Sequence, residues 1–496
     1  MGAAGCPKGE GHGWLESQFG RTAELDDRQV ARRVKAMDGL NHNSAGIIHV
    51  HSGDENTMIH TRKTGIVSWA LYDWANSAFA TTIMAGFFPI FFKQFWSCGV
   101  DPTLSTARLG MANSLAGIVI ALSAPILGAI ADRGSAKKRF LVFFACMGIV
   151  MTCSLFMVSQ GNWVLAVALY VFAVIGFSGG NVFYDALLPA VSPREKMDVV
   201  SALGFSLGYL GGGVLFAVNV WMTLRPHIFG FTDASAAVRF SFLTVGLWWG
   251  IFSIPLLVFV KELKGKTLPA NAAIARGFAQ IIQTFRQARH QKTILLFLLA
   301  YWLYIDGVDT IIRMAVDYGL SLGFQSTDLI LALLITQFVG FPCAIAFGFI
   351  GEKIGARRAI FIAIGVYIFI SIWGAFVRDK QEFYVLAIMI GFVQGGIQAL
   401  SRSFYAGIIP RDKAAEYFGF YNMMGKLAVI IGPVLIGTVG LLIRSLGFSS
   451  SVASRIGISS ISLLFIAGGV LLFFVHEEKP RQNSLSFSDN KRGYQA

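Results

Sequence analysis

The chain has 496 residues, 55% of them hydrophobic and only 14% charged, with a mean hydropathy of +0.61. Soluble globular chains carry about 25% charged residues, so a string of soluble domains is excluded, as are a disordered chain and a disulfide scaffold. The net charge of +13 does not mark a nucleic-acid binder, because the basic residues sit in short loops between apolar segments and form no single patch.

Residues 1–64 are the polar part, with 16 charged residues and 5 of the 8 histidines. They read as a disordered cytoplasmic tail. No apolar run there is long enough for a secretory leader, and Cys6 stands where a myristoylation signal wants Ser or Thr. His49 and His51 lack further ligands at metal spacing. Met58 precedes Arg62-Lys63 and the first apolar run, so residues 1–57 are expected to be a dispensable extension or an over-called start.

From residue 65 the sequence becomes a series of apolar stretches about 20 residues long, the length that crosses a bilayer core. They fall at about 66–92, 107–131, 140–160, 163–190, 199–223, 238–260, 293–317, 327–350, 358–377, 383–409, 417–442 and 453–475. Internal Pro and Gly such as Pro89, Pro125, Pro342 and Pro433 are tolerable where neighbouring helices satisfy the loosened backbone. Alternate loops carry 18 Lys and Arg against 8 in the others, which places the first set and both termini in the cytoplasm. The expected fold is an all-α membrane protein with a bundle at 65–260, a linker at 261–292, a second bundle at 293–476 and a tail at 477–496. In the linker, Ile274, Phe278, Ile281, Ile282 and Phe285 recur at helical spacing beside Arg276, Arg286 and Arg289, the pattern of an amphipathic helix on a membrane surface, with an ordinary solvated linker as the alternative.

The two sixes repeat one another. Gly128 is followed by Asp132, Arg133 and the basic Lys137-Lys138-Arg139, and Gly348 by Glu352, Lys353 and Arg357-Arg358. Pro193-Arg-Glu-Lys196 before Gly204-Phe205 matches Pro410-Arg-Asp-Lys413 before Gly419-Phe420. Two repeated six-helix halves with a site between them are a transporter's construction. Cys6, Cys98, Cys146, Cys153 and Cys343 have no metal-ligand spacing, and the sequence has no phosphate loop, nucleophile elbow or HExxH. No enzyme activity, metal or cofactor is expected.

The loop after the second span resembles the signature loop of the major facilitator superfamily, with Ser135 where the usual second glycine stands. Trp69-Ala-Leu-Tyr72-Asp73-Trp74-Ala-Asn76-Ser-Ala-Phe79-Ala80, Asp306-Gly-Val-Asp309-Thr310-Ile-Ile-Arg313-Met314 and Phe420-Tyr421-Asn422-Met-Met-Gly425-Lys426 resemble hallmarks of its UMF1 or Atg22-like group. The resemblance covers residues 65 to about 478. It implies twelve transmembrane helices in two pseudo-symmetric bundles and export of an amino-acid-like solute. It also implies that Gly128, Asp132, Arg133, Lys138 and Arg139 form a latch stabilising the outward-facing state.

An ionisable residue inside a span costs about 2.5–3.5 kcal/mol on insertion scales and is a functional candidate by default. Asp73 lies in the first span; Asp306, Asp309 and Arg313 share one face of the seventh. A carboxylate in a low-dielectric cavity takes a proton more readily than one in water, so Asp73, Asp306 and Asp309 are the proton-coupling candidates. Spans one and seven are equivalent in the repeat, which allows these acids to face each other. Arg313 is a substrate-carboxylate partner or an ion-pair partner of Asp309. Asp185 and Arg402 occupy matching places in the repeat, as an inner-gate charge pair or as two unrelated snorkelling side chains. Lys426, Asn76, Gln398 and Asn422 complete the substrate-binding candidates. An acid at Asp132 can sit at the N-terminus of a neighbouring helix.

The resulting expectation is a monomeric, proton-coupled secondary transporter of a small solute in the lipid bilayer, in the inner membrane if the source is bacterial. The alternatives are export of a hydrophobic drug or siderophore-like metabolite, and a non-transporting assembly factor on the same fold.

Overall fold

An apolar run in hydrocarbon has no water to satisfy its N–H and C=O groups, so it must close its hydrogen bonds internally as a helix. In the computed structural model, twelve helices among the described residues are long and apolar enough to cross a membrane: α1 (Lys63–Trp96), α2 (Arg108–Asp132), α3 (Lys137–Met157), α4 (Trp163–Val191), α5 (Arg194–Leu224), α6 (Ala234–Phe259), α7 (Lys292–Ile312), α8 (Thr327–Ile354), α9 (Ala356–Gly374), α10 (Lys380–Ile408), α11 (Arg411–Ser445) and α12 (Val452–Phe473). The structure describes residues 52–98, 102–134, 136–262, 291–428 and 431–476, and no strand occurs among them. The expected linker helix, the tail 477–496, most of the tail 1–64 and the side chains of Arg133 and Arg313 lie outside the described residues. The chain divides into Met1–Ile59 and His60–Ala496, and every contact below lies within the second unit.

Helix ends are set by local chemistry. Asp233 starts α6 by accepting from the Ala236 N–H at 2.8 Å, and Asp379 starts α10 by accepting from Gln381 and Glu382 at 2.9 Å each. Two helices depart from the regular form. In α1 the α-helix ending at Ala78 gives way to wider π-helical turns over Phe79–Phe87 and Phe92–Trp96, with Pro89 between them. The other, α11, consists of two pieces, Ala414–Leu427 and Ile431–Ser445. Pro433 falls in the first turn of the second piece, where its missing N–H leaves no helical bond unmade.

The halves meet chiefly through α2 against α11 and α5 against α8. The internal repeat maps α2 onto α8 and α11 onto α5, so these are one contact made twice. Glycines make it possible, as small residues do wherever membrane helices approach closely. A Cβ on Gly128 would strike the Ala415 carbonyl of α11, and one on Gly348 would strike Ala202 of α5. Gly419 returns the contact, facing the Ala124 carbonyl and Pro125 of α2, each 2.6 Å from where its Cβ would stand.

Replacing Gly128 with Leu forces α2 off α11. We expect a loss of about 1–3 kcal/mol, read as a lower thermal unfolding midpoint in detergent. Gly365→Leu, at a site with nothing within 4 Å, should show no such loss.

Candidate functional site

Three charged side chains of the spans meet at the interface between the halves. Arg402 of α10 is 3% exposed, and Asp73 of α1 and Asp185 of α4 are 8% and 7% exposed. The Arg402 guanidinium donates through Nη1 to Asp73 Oδ2 at 3.3 Å and to Asp185 Oδ1 at 3.2 Å. Nη2 donates to the Ser201 carbonyl at 2.8 Å and to Asp73 Oδ2 at 3.4 Å, and Nε to Ser201 Oγ at 2.9 Å. Tyr184 Oη donates to Asp73 at 2.8 Å, and Asn422 Nδ2 of α11 to Asp185 at 3.2 Å. The rings of Phe205, Trp69 and Tyr184 lie 4.2, 4.9 and 5.3 Å from the guanidinium carbon, within reach of a cation–π attraction. Gly204 leaves the room: a Cβ there would stand 2.6 Å from Asp73 Oδ2 and 3.0 Å from Arg402 Nη2. The repeat partner of this residue, Gly419, packs against backbone instead.

Asp185 and Arg402 thus meet as a charge pair, and Asp73 joins them, whereas the sequence suggested Asp73 opposite the acids of α7. Asp306, fully buried, accepts from the backbone N–H groups of Ile431 at 3.0 Å and Gly432 at 2.9 Å, and from Thr310 Oγ1 at 3.1 Å. It is the N-terminal cap of the second piece of α11, where a carboxylate also meets the positive end of the helix dipole. Asp309, one turn on, and Lys426, near the end of the first piece of α11, are both half-buried.

The signature loop is closed onto the other half. Asp132 accepts from the N–H groups of Ala415 at 3.1 Å and Glu416 at 2.8 Å, capping the start of α11, and pairs with Lys137 at 2.8 Å. Its repeat partner Glu352 is exposed. Lys138 holds the last carbonyls of α6, those of Leu257 and Val260, at 2.7 Å each, and Arg139 is exposed. Ser403 of α10 donates to Asp198 of α5. Further along the interface Tyr209 donates to Gln398 at 3.2 Å, and Gln337 to Thr81 at 2.9 Å. Asn76 donates to Asn181 at 2.6 Å and is 1% exposed, tying α1 to α4 within one half.

A cavity of about 220 Å³ lies at the Thr81–Gln337 level and towards the end away from the signature loop. Its wall includes Ile311, Leu329, Phe383 and Leu386, with the amides of Gln337 and Gln394 among its polar groups. Among the described side chains that line it none is charged.

The chain has relatives. The profile of the family described as vacuole effluxer Atg22 like matches residues 61–485. The chain belongs to that family. An uncharacterised MFS-type transporter, YxiO, of Bacillus subtilis (strain 168) is 38% identical over 413 residues, covering 83% of this chain and 94% of the relative. Autophagy-related protein 22 of Saccharomyces cerevisiae (strain ATCC 204508 / S288c) is 24% identical over 472 residues, 77% and 87% of the two chains. Among solved structures, the human organic anion transporter MFSD10 superposes with a TM-score of 0.60 at 14% identity, over 83% of this chain and 99% of that one. FucP, in its outward conformation, superposes with a TM-score of 0.61 at 12% identity, over 84% and 100%. The fold is that of the major facilitator superfamily, and the protein is an integral, multi-pass membrane transporter of the Atg22-like group, not an enzyme.

Sequence reasoning missed Trp69, Tyr184, Ser201, Gly204 and Phe205 as parts of the cluster; the signal available was their neighbourhood to Asp73, Asp185 and the repeated Gly-Phe pair. Removing one partner of a buried charge group leaves the others unpaired, at a cost of about 3–5 kcal/mol. Arg402→Met should therefore destabilise by that order in urea or thermal unfolding in detergent, and more than Asp73→Asn, which leaves the guanidinium Asp185. Asp306→Ala should cost about 1–2 kcal/mol through the lost cap, most of it recovered by Asp306→Asn.

Proposed function

We propose that this transporter works by alternating access, coupled to protons, and carries a small amino-acid-like solute outward across a plasma membrane with both termini in the cytoplasm. The observation that carries the reading is the buried Asp73–Arg402–Asp185 group, which joins the two halves at the signature-loop end. Two carboxylates share one guanidinium, leaving a negative charge that a proton on Asp73 would neutralise while loosening the hold on Arg402. The Asp132 cap on α11 and the Ser403–Asp198 bond support the view that this end is the shut gate. The bias of Lys and Arg towards the loops at this end supports its cytoplasmic placement. A pure assembly factor gives no reason for three charges in the joint between halves.

The cavity supports a small solute. At about 220 Å³ it falls below the 300–1,000 Å³ of drug-sized pockets, which disfavours a large hydrophobic drug or a siderophore-like metabolite. Its apolar wall with the amides of Gln337 and Gln394 suits an apolar side chain with a polar end. Asp309 and Lys426, half-buried on α7 and α11, remain candidates for coupling and for an anionic group, Arg313 for a carboxylate; Asp306 acts by holding the break in α11.

Transport into proteoliposomes of radiolabelled neutral amino acids tests the reading. Asp73→Asn and Asp309→Asn should each abolish gradient-driven accumulation and leave solute exchange. Unchanged pH dependence in both variants overturns the coupling assignment.

A further inference from the structure

Among the described residues, every partner of the Arg402 guanidinium belongs to the opposite half of the molecule. Asp73 and Trp69 come from α1, Asp185 and Tyr184 from α4, Ser201 and Phe205 from α5. Asp73, Tyr184 and Trp69 are held to one another without Arg402, whereas Asp185 is bonded besides, among the described residues, only by Asn422 of α11. Tyr184 Oη donates to Asp73, Trp69 Nε1 donates to the Tyr184 carbonyl at 3.0 Å, and the Trp69 and Tyr184 rings stack at 4.5 Å with 12° between their planes. Two carboxylates, a carbonyl, a hydroxyl and three aromatic faces around one cation form a receptor for an amine or guanidine. When the halves part at this end, Arg402 leaves with α10 and the receptor stays behind with two carboxylates and no cation.

We infer that the N-terminal half carries a cation site, filled by Arg402 while the signature-loop end is closed and by the ammonium or guanidinium group of the carried solute when that end is open. This rests on the alternating-access reading and adds a substrate class to it. The exchange replaces one organic cation with another over the same two carboxyl groups, Asp185 remaining ionised when the coupling proton is on Asp73. A solute lacking a cationic group would leave both acids bare, so the site selects against deaminated analogues. A ligand that binds only the open state also shifts the population towards that state.

That shift is measurable on the full chain. Ser403 is 2% exposed, adjoins Arg402 and bonds to Asp198 across the joint, so a thiol there is reachable only as the halves separate. The test uses Ser403→Cys with the five native cysteines replaced by serine, reconstituted and labelled with a membrane-impermeant maleimide from the signature-loop side. In millimolar methylguanidinium chloride, labelling should run several-fold faster than in sodium chloride. Neutral methylurea should leave the sodium rate, and adding Asp73→Asn with Asp185→Asn should erase the gain. Equal rates in the two salts overturn the cation site. Absence of labelling in both overturns alternating access at this end, and the site with it.

Discussion

A guanidinium inside a membrane protein has no water to solvate it and keeps its charge throughout, so everything near it must supply acceptors. Arg402 meets this demand entirely across the joint between the two halves, from Asp73, Asp185 and Ser201. The closed arrangement at this end follows from that requirement. Gly204 is small because the carboxylate and guanidinium occupy the space of a side chain, and Asn422 is aimed at Asp185 because the second carboxylate oxygen also needs a donor.

Around this centre the repeat supplies the frame and then departs from its own symmetry. Gly128 against α11 and Gly348 against α5 are the same close approach made twice. Their acids differ: Asp132 is buried on the backbone of Ala415 and Glu416, while Glu352 faces outward. The Gly-Phe pairs differ too, since Gly419 packs on helix backbone and Gly204 on charge. A two-fold frame gives equal packing on both sides, and loss of equivalence at these positions concentrates the polar joint on one side.

Much of the fold is legible along the chain because crossing a bilayer imposes a length and an apolar composition on each segment. The contact of Asp132 with a helix N-terminus was legible as well, from an acid in a short glycine-bearing loop, while the role of that loop as a latch came only from its resemblance to a family signature. The role of Asp306 was not legible. Its cap on Ile431 and Gly432 depends on a break in α11 that Gly432-Pro433 permits but does not announce. Asn76 carries the same lesson in reverse: an amide in a span marks a polar demand, here met by Asn181 inside one half.

The sequence by itself determined the twelve crossings, the repeat, the loop charges and the list of side chains too polar to face lipid. Each of these is a property of composition or spacing within some tens of residues. Only the tertiary structure decided the pairing of those side chains. Asp73 and Arg402 stand 329 positions apart, and periodicity carries no information on which buried charges share a contact. The partner of each is fixed by which helices the close glycine contacts allow to meet, and by the rule that a charge withdrawn from water must find its counter-charge there.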